Sequence, residues 1–220
     1  MARLLFEKTG NAVWISHLDL MRLFQRAFKR AGLPLTHTHG YNPRPSVSIA
    51  LPLSVGIESN CELLDFDLDG DTVFSCDEIK ERLNRALVAG VRVLDVYEGG
   101  RKIRDLALLS CQVELEYDDG VPAGCVDAIR ELFSKDSLLV PKKSKNGPTE
   151  QDIIPMIKEL DVTAADDNTV VLTGLICCQN PSLSPMQLHA AIEKYLPDFK
   201  PDFAKSRRVE LFDLQKKIFR

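Results

Sequence analysis

The chain has 220 residues, of which 45% are hydrophobic and 27% charged, with a formal net charge of −4. Such proportions are typical of a globular protein that can bury an apolar core without disulfides, and the length suits one large domain or two small ones. The sequence has no apolar run of about 18 residues and no long apolar region near its start, so we expect no membrane span, no signal peptide and a cytoplasmic location.

Charge is distributed unevenly along the chain. Residues 1–46 carry seven Lys/Arg and two acids, a balance of +5, whereas residues 57–81 carry nine acids and one lysine, a balance of −8. Residues 205–220 return to six basic and two acidic residues, a balance of +4. A general polyanion binder is therefore excluded, but a local basic face is not.

Several kinds of chemistry lack their sequence motifs. The six cysteines are scattered without CxxC or CxxxCxxC spacing, which excludes an obvious zinc ribbon or a cysteine-ligated iron–sulfur cluster. No Walker A or GxGxxG loop is present, which argues against nucleotide-dependent chemistry. We therefore expect reduced, buried thiols and no cofactor.

The first half of the chain predicts an alternation of strands and helices. Apolar alternation predicts strands at about 2–8, 61–69 and 91–97, with an extended segment over 33–53. Helical spacing of apolar residues predicts helices at about 17–31 and 76–88. The order β-α-β-β-α-β is that of a split βαβ module, with two helices on one face of an antiparallel sheet.

The second half predicts a similar order after the charged, glycine-bearing connector 98–105. Its strands are expected at 108–117, 137–141, 169–178 and 207–214, and its helices at 123–134, 150–160 and 184–196. We therefore predict an α+β fold of two tandem ferredoxin-like modules, residues 1–98 and 106–220. The second module would be a degenerate repeat of the first topology with an insertion.

The first predicted helix has a well-marked start and two contrasting faces. Ser16 is a good N-cap, and Asp19 stands where its carboxylate can return to the backbone N–H of the cap. The apolar positions share one stripe: Leu20, Leu23, Phe24, Ala27, Phe28 and Ala31. The opposite face carries four cations: Arg22, Arg26, Lys29 and Arg30. These cations suit either a nucleic-acid backbone or an ordinary solvated helix face.

The segment 37–46, "HTHGYNPRPS", is unusual for a connecting loop. Two prolines stiffen it, and its imidazole, phenol, amide and guanidinium side chains suit a planar, anionic ligand. Its candidate binding residues are His37, His39, Tyr41, Asn42, Arg44 and Ser46. In an RNA complex, Tyr41 would stack on a base while Arg44 and Ser46 contact phosphate.

Residues outside this loop complete the candidate site. His17, Asp19 and Glu58 are expected to face the same pocket as the loop. Two alternatives stay open at this point: a metal site built from the histidines with Asp19, and a general acid–base role for His17. No serine stands in a GxSxG turn, so serine-type nucleophilic catalysis is not expected.

Residues 15–68, which begin "ISHLDL" and contain "GYNPRP" and "PLSVG", resemble the radical SAM-associated (radical SAM-linked) family of unknown function. That family has an F-I-S-H-L-D-L start, a G-F-N-P-H-P loop and a P-L-P-V-G exit, and its domain also occurs fused to B12-binding radical SAM proteins. The resemblance implies a partnership with a radical SAM enzyme and, more weakly, an RNA or ribosome context. Arg44 departs from the family histidine, which weakens metal or proton-transfer roles there and keeps phosphate binding.

Together these features favour an accessory protein that binds RNA or recognises a substrate for a radical SAM enzyme, in tRNA or rRNA modification or ribosome-related metabolism. The chain lacks the CxxxCxxC motif, so we expect no radical SAM catalysis from it alone. One alternative is a protein–protein adaptor that uses the acidic region 57–81. Another is a His17-dependent RNA-processing enzyme. The sequence leaves the oligomeric state open.

Overall fold

The computed structural model describes residues 1–70, 73–144 and 147–220. The chain divides into two units, Met1–Ile103 with Arg220 (unit 1) and Arg104–Phe219 (unit 2). The fold is mixed α+β: the described residues contain four α-helices, and the strand pairs within each unit are antiparallel.

Unit 1 follows the predicted order β-α-β-β-α-β. Its elements are β1 (Ala2–Lys8), α1 (His17–Arg30), β2 (Val47–Ile49), β3 (Ile57–Phe66), α2 (Cys76–Ala86) and β4 (Val91–Glu98). Strand β1 lies between β4 and β3, and the short strand β2 pairs with β3 on the side opposite β1. The extended segment 33–53 therefore contributes only three residues of strand, and β3 begins four residues earlier than predicted.

The predicted N-cap of α1 is confirmed, with one difference in its partner atoms. Ser16 Oγ accepts a hydrogen bond from the Asp19 N–H at 3.2 Å, but the Asp19 carboxylate meets the Ser16 hydroxyl at 2.7 Å instead of the backbone N–H. In α2, the Glu78 carboxylate does reach the backbone N–H of Ser75, at 3.0 Å. Glutamate carries one more methylene than aspartate, which gives it the reach that a complete capping box needs.

The apolar stripe of α1 packs on the sheet as its periodicity predicts. The buried helix residues are Leu20, Phe24, Ala27 and Phe28. Phe24 meets Phe6 of β1 edge-on, with ring centroids 4.8 Å apart, and Phe28 lies 5.0 Å from Phe66 of β3. These contacts set the rotation of the helix and leave its basic side in solvent.

Unit 2 contains the remaining eight elements. They are β5 (Leu108–Glu116), α3 (Cys125–Phe133), β6 (Leu139–Ser144), β7 (Gly147–Asp152), β8 (Ile157–Ala164), β9 (Thr169–Cys177), α4 (Pro185–Tyr195) and β10 (Phe203–Phe212). Its main strands lie in the order β10-β5-β9-β8, and β6 pairs with β7 as a separate hairpin. When that hairpin is set aside, the order of the strands across the sheet in unit 2 matches the order in unit 1.

The predicted short helix at 150–160 is wrong. The segment holds the end of β7, a 3-10 turn (Ile154–Met156) and the start of β8, which pairs with β9. Its buried residues Ile153 and Met156 imitate helical spacing. Pro155 lacks the N–H that a continuing helix would need, and pairing with β9 satisfies the backbone instead.

A close backbone approach joins the β4 entrance to the segment that follows β1. Gly90 has a φ of +83°, and a Cβ at this position would stand 2.4 Å from the Thr9 carbonyl oxygen and 2.9 Å from the Ala12 Cβ. The Thr9 N–H donates to the Gly90 carbonyl at 2.8 Å. Only glycine fits here without displacing the backbone that leads into α1.

We expect Gly90→Ala to destabilise the protein far more than Gly99→Ala. Gly99 has a similar φ of +72°, but no atom lies within 4 Å of the place that a Cβ would occupy, so its substitution costs only the left-handed backbone penalty, about 1–2 kcal/mol. Overpacking at Gly90 adds about 1–3 kcal/mol to that penalty. Urea unfolding of both variants measures the difference, and equal midpoints would contradict the close approach.

Candidate nucleic-acid interface

The four cations of α1 all lie on its exposed side, as predicted from the helical spacing. Two of them have intramolecular partners. Arg22 Nη1 donates to the Asp19 carboxylate at 3.0 Å, and Arg30 Nη2 donates to the Ala86 carbonyl of α2 at 2.6 Å. Arg22, Arg26, Lys29 and Arg30 are hereafter called the basic stripe. It is a continuous positive surface whose last member leans toward α2.

The Asp19 carboxylate is engaged at the helix start. The hydrogen bond from Ser16 Oγ, followed by that from Arg22, holds the pKa of the Asp19 carboxyl below its usual range. Its two oxygens are therefore engaged, one with each neighbour. An ionised, exposed aspartate in this setting caps the helix and orients Arg22.

The segment 37–46 forms a closed hairpin loop with a defined base. At the base, the Thr36 N–H donates to the Asp67 carbonyl at 3.0 Å, and the Ser46 N–H donates to the Thr36 carbonyl at 2.8 Å. Nearer the tip, the Thr38 N–H donates to the Arg44 carbonyl at 2.8 Å, and Thr38 Oγ1 accepts from the Arg44 N–H at 3.1 Å. This double contact clamps the tip, residues 39–43, so the loop projects in a fixed form.

The loop carries its aromatic, imidazole, amide and guanidinium side chains into solvent. The exposed members are His37, His39, Tyr41, Asn42 and Arg44. Tyr41 is fully exposed, at 101% of its reference area. Ser46 differs from the others, because it is half-buried and its hydroxyl donates to the Asp67 carboxylate at 3.4 Å. The loop is thus a projecting surface rather than one wall of a pocket.

His17 and Glu58 lie at the other end of α1 from this loop. His17 is the first residue of the 14-residue helix, which is about 20 Å long, and the loop follows its last residue. The helix start lies near the beginning of β3, where the Gly56 N–H donates to the Val13 carbonyl at 3.0 Å. The loop base binds Asp67, just beyond the end of β3. The structure therefore does not bring His17 and the loop residues into one cleft.

The two outlying candidates differ in their contacts. Glu58 Oε1 accepts a hydrogen bond from the Gly10 N–H at 3.0 Å and so ties the segment before α1 to β3. The Nδ1 atom of His17 is buried without a hydrogen-bond partner among the described residues. A general base normally has its second ring nitrogen oriented by a carboxylate or carbonyl. Among the described residues, the Nδ1 atom of His17 has no such orienting bond.

The acidic region 57–81 is partly engaged inside unit 1. Asp65 holds the nearly buried Arg3 in a bidentate pair, with Nε–Oδ1 and Nη2–Oδ2 distances of 2.6 and 3.0 Å. Glu62 is also buried. Asp71 lies outside the described residues. Over the described ranges, no three His, Cys, Asp or Glu side chains are grouped to hold a metal ion.

Sequence reasoning missed two exposed apolar side chains beside the start of α1. Trp14 and Leu18 are 68% and 67% exposed, respectively. Leu18 stands one helical turn before Arg22, on the polar side of α1, so helical spacing could have singled it out. Trp14 is the last residue of a 3-10 turn (Gly10–Trp14), and its exposure depends on how that turn packs beside β3. The sequence of the turn gives no signal of this packing.

The family model described as "Uncharacterized protein conserved in bacteria (DUF2344)" matches residues 2–185. The chain belongs to this family. The matched span includes the helix α1, the projecting loop and most of unit 2. No curated protein matches the chain.

Likenesses to solved structures are distant. A chain of a Cbf5–Nop10–Gar1 complex is 8% identical with a TM-score of 0.49, covering 96% of this chain and 48% of that one. A chain of an archaeal box H/ACA sRNP Nop10–Cbf5 complex is 9% identical with a TM-score of 0.43, covering 94% and 46%. The chain thus spans about half the length of these two. An unknown protein from Galdieria sulphuraria is 12% identical with a TM-score of 0.26, covering 94% and 97%.

Two thiols of unit 2, those of Cys111 and Cys178, are not activated. Burial raises the pKa of both Cys111 and Cys178 to about 12. A thiol with so high a pKa stays protonated near neutral pH, and the thiolate is the reactive form. These cysteines are therefore packing residues. None of the helices in the described ranges is both long and apolar enough to cross a membrane.

We expect carboxyl-detected NMR titration to place the Asp19 pKa below the ordinary aspartate value of about 3.9. Ser16→Ala should raise it most, because the Ser16 hydroxyl is the largest cause of the shift, and Arg22→Ala should raise it less. Since the folded pKa is depressed, the stabilisation is present above the ordinary pKa and is lost as pH falls through the folded pKa. Arg85→Ala on α2 is the control, and an unchanged pKa in Ser16→Ala would refute the assignment.

Proposed function

We propose that the protein is an accessory RNA-binding protein that works with a radical SAM enzyme, in tRNA or rRNA modification or ribosome-related metabolism. The observation that carries the RNA-binding part is the combination of the basic stripe with a projecting loop that bears Tyr41 and Arg44. Positively charged surfaces interleaved with exposed aromatic rings suit a phosphate backbone with unpaired bases. A fully exposed tyrosine at a clamped loop tip loses little entropy when a base stacks on it.

The partnership with a radical SAM enzyme rests on the resemblance of residues 15–68 to the radical SAM-associated family. The chain has no CxxxCxxC motif of its own, so the cluster chemistry would belong to the partner. We also infer that each unit is a ferredoxin-like module. The strand orders β4-β1-β3-β2 and β10-β5-β9-β8, each with two helices between antiparallel strands, support this assignment.

The two alternatives have weaker support. An adaptor that uses the acidic region 57–81 would bind through its exposed carboxylates, Asp69, Asp77, Glu78 and Glu81, because Glu62 is buried and Asp65 is paired with Arg3. A His17-dependent nuclease would need an orienting partner for the imidazole and a nearby phosphate site, and the loop cations lie at the far end of α1.

RNA binding can be measured by fluorescence anisotropy with labelled tRNA over a series of salt concentrations. We expect affinity to fall steeply with salt, and both Arg26→Ala and Arg44→Ala to reduce the magnitude of the log–log salt slope by about 1. Tyr41→Ala should weaken binding by about tenfold with little change of slope, because a lost stacking contact releases no counterion.

Arg85→Ala is the matched control, since Arg85 is an exposed arginine of unit 1 that pairs with Glu81 on α2 at 3.1 Å. We expect Arg85→Ala to change the RNA affinity and the salt slope only slightly. Binding that is absent, or insensitive to salt, would overturn the RNA-binding function. Co-elution with a purified radical SAM enzyme in the absence of RNA binding would favour the adaptor instead.

A further inference from the structure

Trp14 presents its indole to solvent at the start of α1, at the end opposite to the projecting loop. The ring is 68% exposed, and its Cζ3 atom would lie 3.8 Å from a Cβ placed on Gly56. The Cζ3 edge of the indole therefore faces the backbone before β3. An indole is the largest apolar side chain, and its large face with a polar N–H suits it to contact a partner.

The backbone that carries Trp14 is held firmly in unit 1. The Val13 carbonyl accepts hydrogen bonds from Gly56 N–H at 3.0 Å and from the fully buried Lys8 Nζ at 3.1 Å. The Gly10 N–H is bound by Glu58, as described above, and the Ile15 N–H donates to the Ala12 carbonyl at 3.0 Å. The ring is thus displayed from a fixed support, which lowers the entropy lost on binding.

A line of exposed side chains runs along α1 from its first turn. Leu18, Arg22 and Arg26 succeed one another at intervals of four residues, so they form one line on the exposed side of the helix. Beyond the end of that line stands the loop with Tyr41. An exposed aromatic ring therefore lies past each end of α1, a helix about 20 Å long whose basic stripe covers about 12 Å at its C-terminal end.

Building on the RNA-binding function proposed above, we propose that the ligand is single-stranded RNA and that Trp14 is a second base-stacking position. The strand would lie along the basic stripe, with unpaired bases on Trp14 at one end and on Tyr41 at the other. Stacking requires an open base face, which a duplex hides between its neighbouring pairs. Leu18 would supply apolar contact beside the first stacked base.

Tryptophan fluorescence reports on this position directly, because Trp14 is the single tryptophan of the protein. Intrinsic fluorescence of the full-length chain is titrated with an oligouridylate of about 12 nucleotides, a length within the range of known single-strand sites. The same titration uses a duplex made from equally long complementary RNAs. We expect strong quenching with the single strand and weaker binding without quenching with the duplex.

Anisotropy with the labelled oligouridylate then compares variants. Trp14→Ala should bind about tenfold more weakly, the loss typical of one stacked base, while Trp14→Phe keeps an aromatic face and should bind within a few-fold of the wild type. Leu214→Ala removes an exposed apolar side chain from unit 2 and is the control. Circular dichroism and urea unfolding confirm that each variant is folded.

The outcomes separate this inference from the function on which it rests. Salt-sensitive binding in which the duplex is held as tightly as the single strand, or in which the Trp14 emission does not change, leaves the RNA-binding function intact and refutes Trp14 as a stacking position. A folded Trp14→Ala variant with wild-type affinity refutes it as well. If neither RNA binds, the RNA-binding function itself fails.

Discussion

The packing of two helix phenylalanines on the sheet determines which surface unit 1 offers to a partner. Phe24 contacts Phe6 and Phe28 contacts Phe66, so helix α1 can lie on β1 and β3 in only one rotation. All four rings are buried, and a rotated helix would expose them while burying arginine side chains. The basic stripe is thus the necessary outer side of a helix whose inner side is fixed by aromatic contacts.

The two ends of α1 determine where the candidate functional residues lie. Ser16 begins the helix, and Gly32, with a φ of +67°, ends it, while the Leu33 N–H donates to the Phe28 carbonyl at 3.0 Å in the usual glycine-ended pattern. The helix therefore separates Trp14 and His17 from the projecting loop by its full length. Such a layout suits an extended ligand that lies along a surface better than a small substrate enclosed in a cleft.

Local signals were sufficient wherever the stabilising contacts are themselves local. Capping at Ser16 and the apolar period of α1 both depend on residues within a few positions of one another, and both were predicted. The failure over 150–160 has the opposite origin. Strand β8 forms because its backbone pairs with β9. Ile153 and Met156, just before it, are buried by tertiary packing, and this packing outweighs their helix-like spacing.

The candidate site divides in the same way. The sequence by itself determined the exposed cations of α1 and the polar, proline-stiffened loop, because helix period and turn chemistry are short-range properties. Only the tertiary structure decided that His17 and Glu58 lie apart from that loop, that Ser46 is committed to Asp67, and that Trp14 faces solvent. Each of these depends on where β3 begins and ends beside other segments, and strand register is set by contacts between residues far apart in the chain.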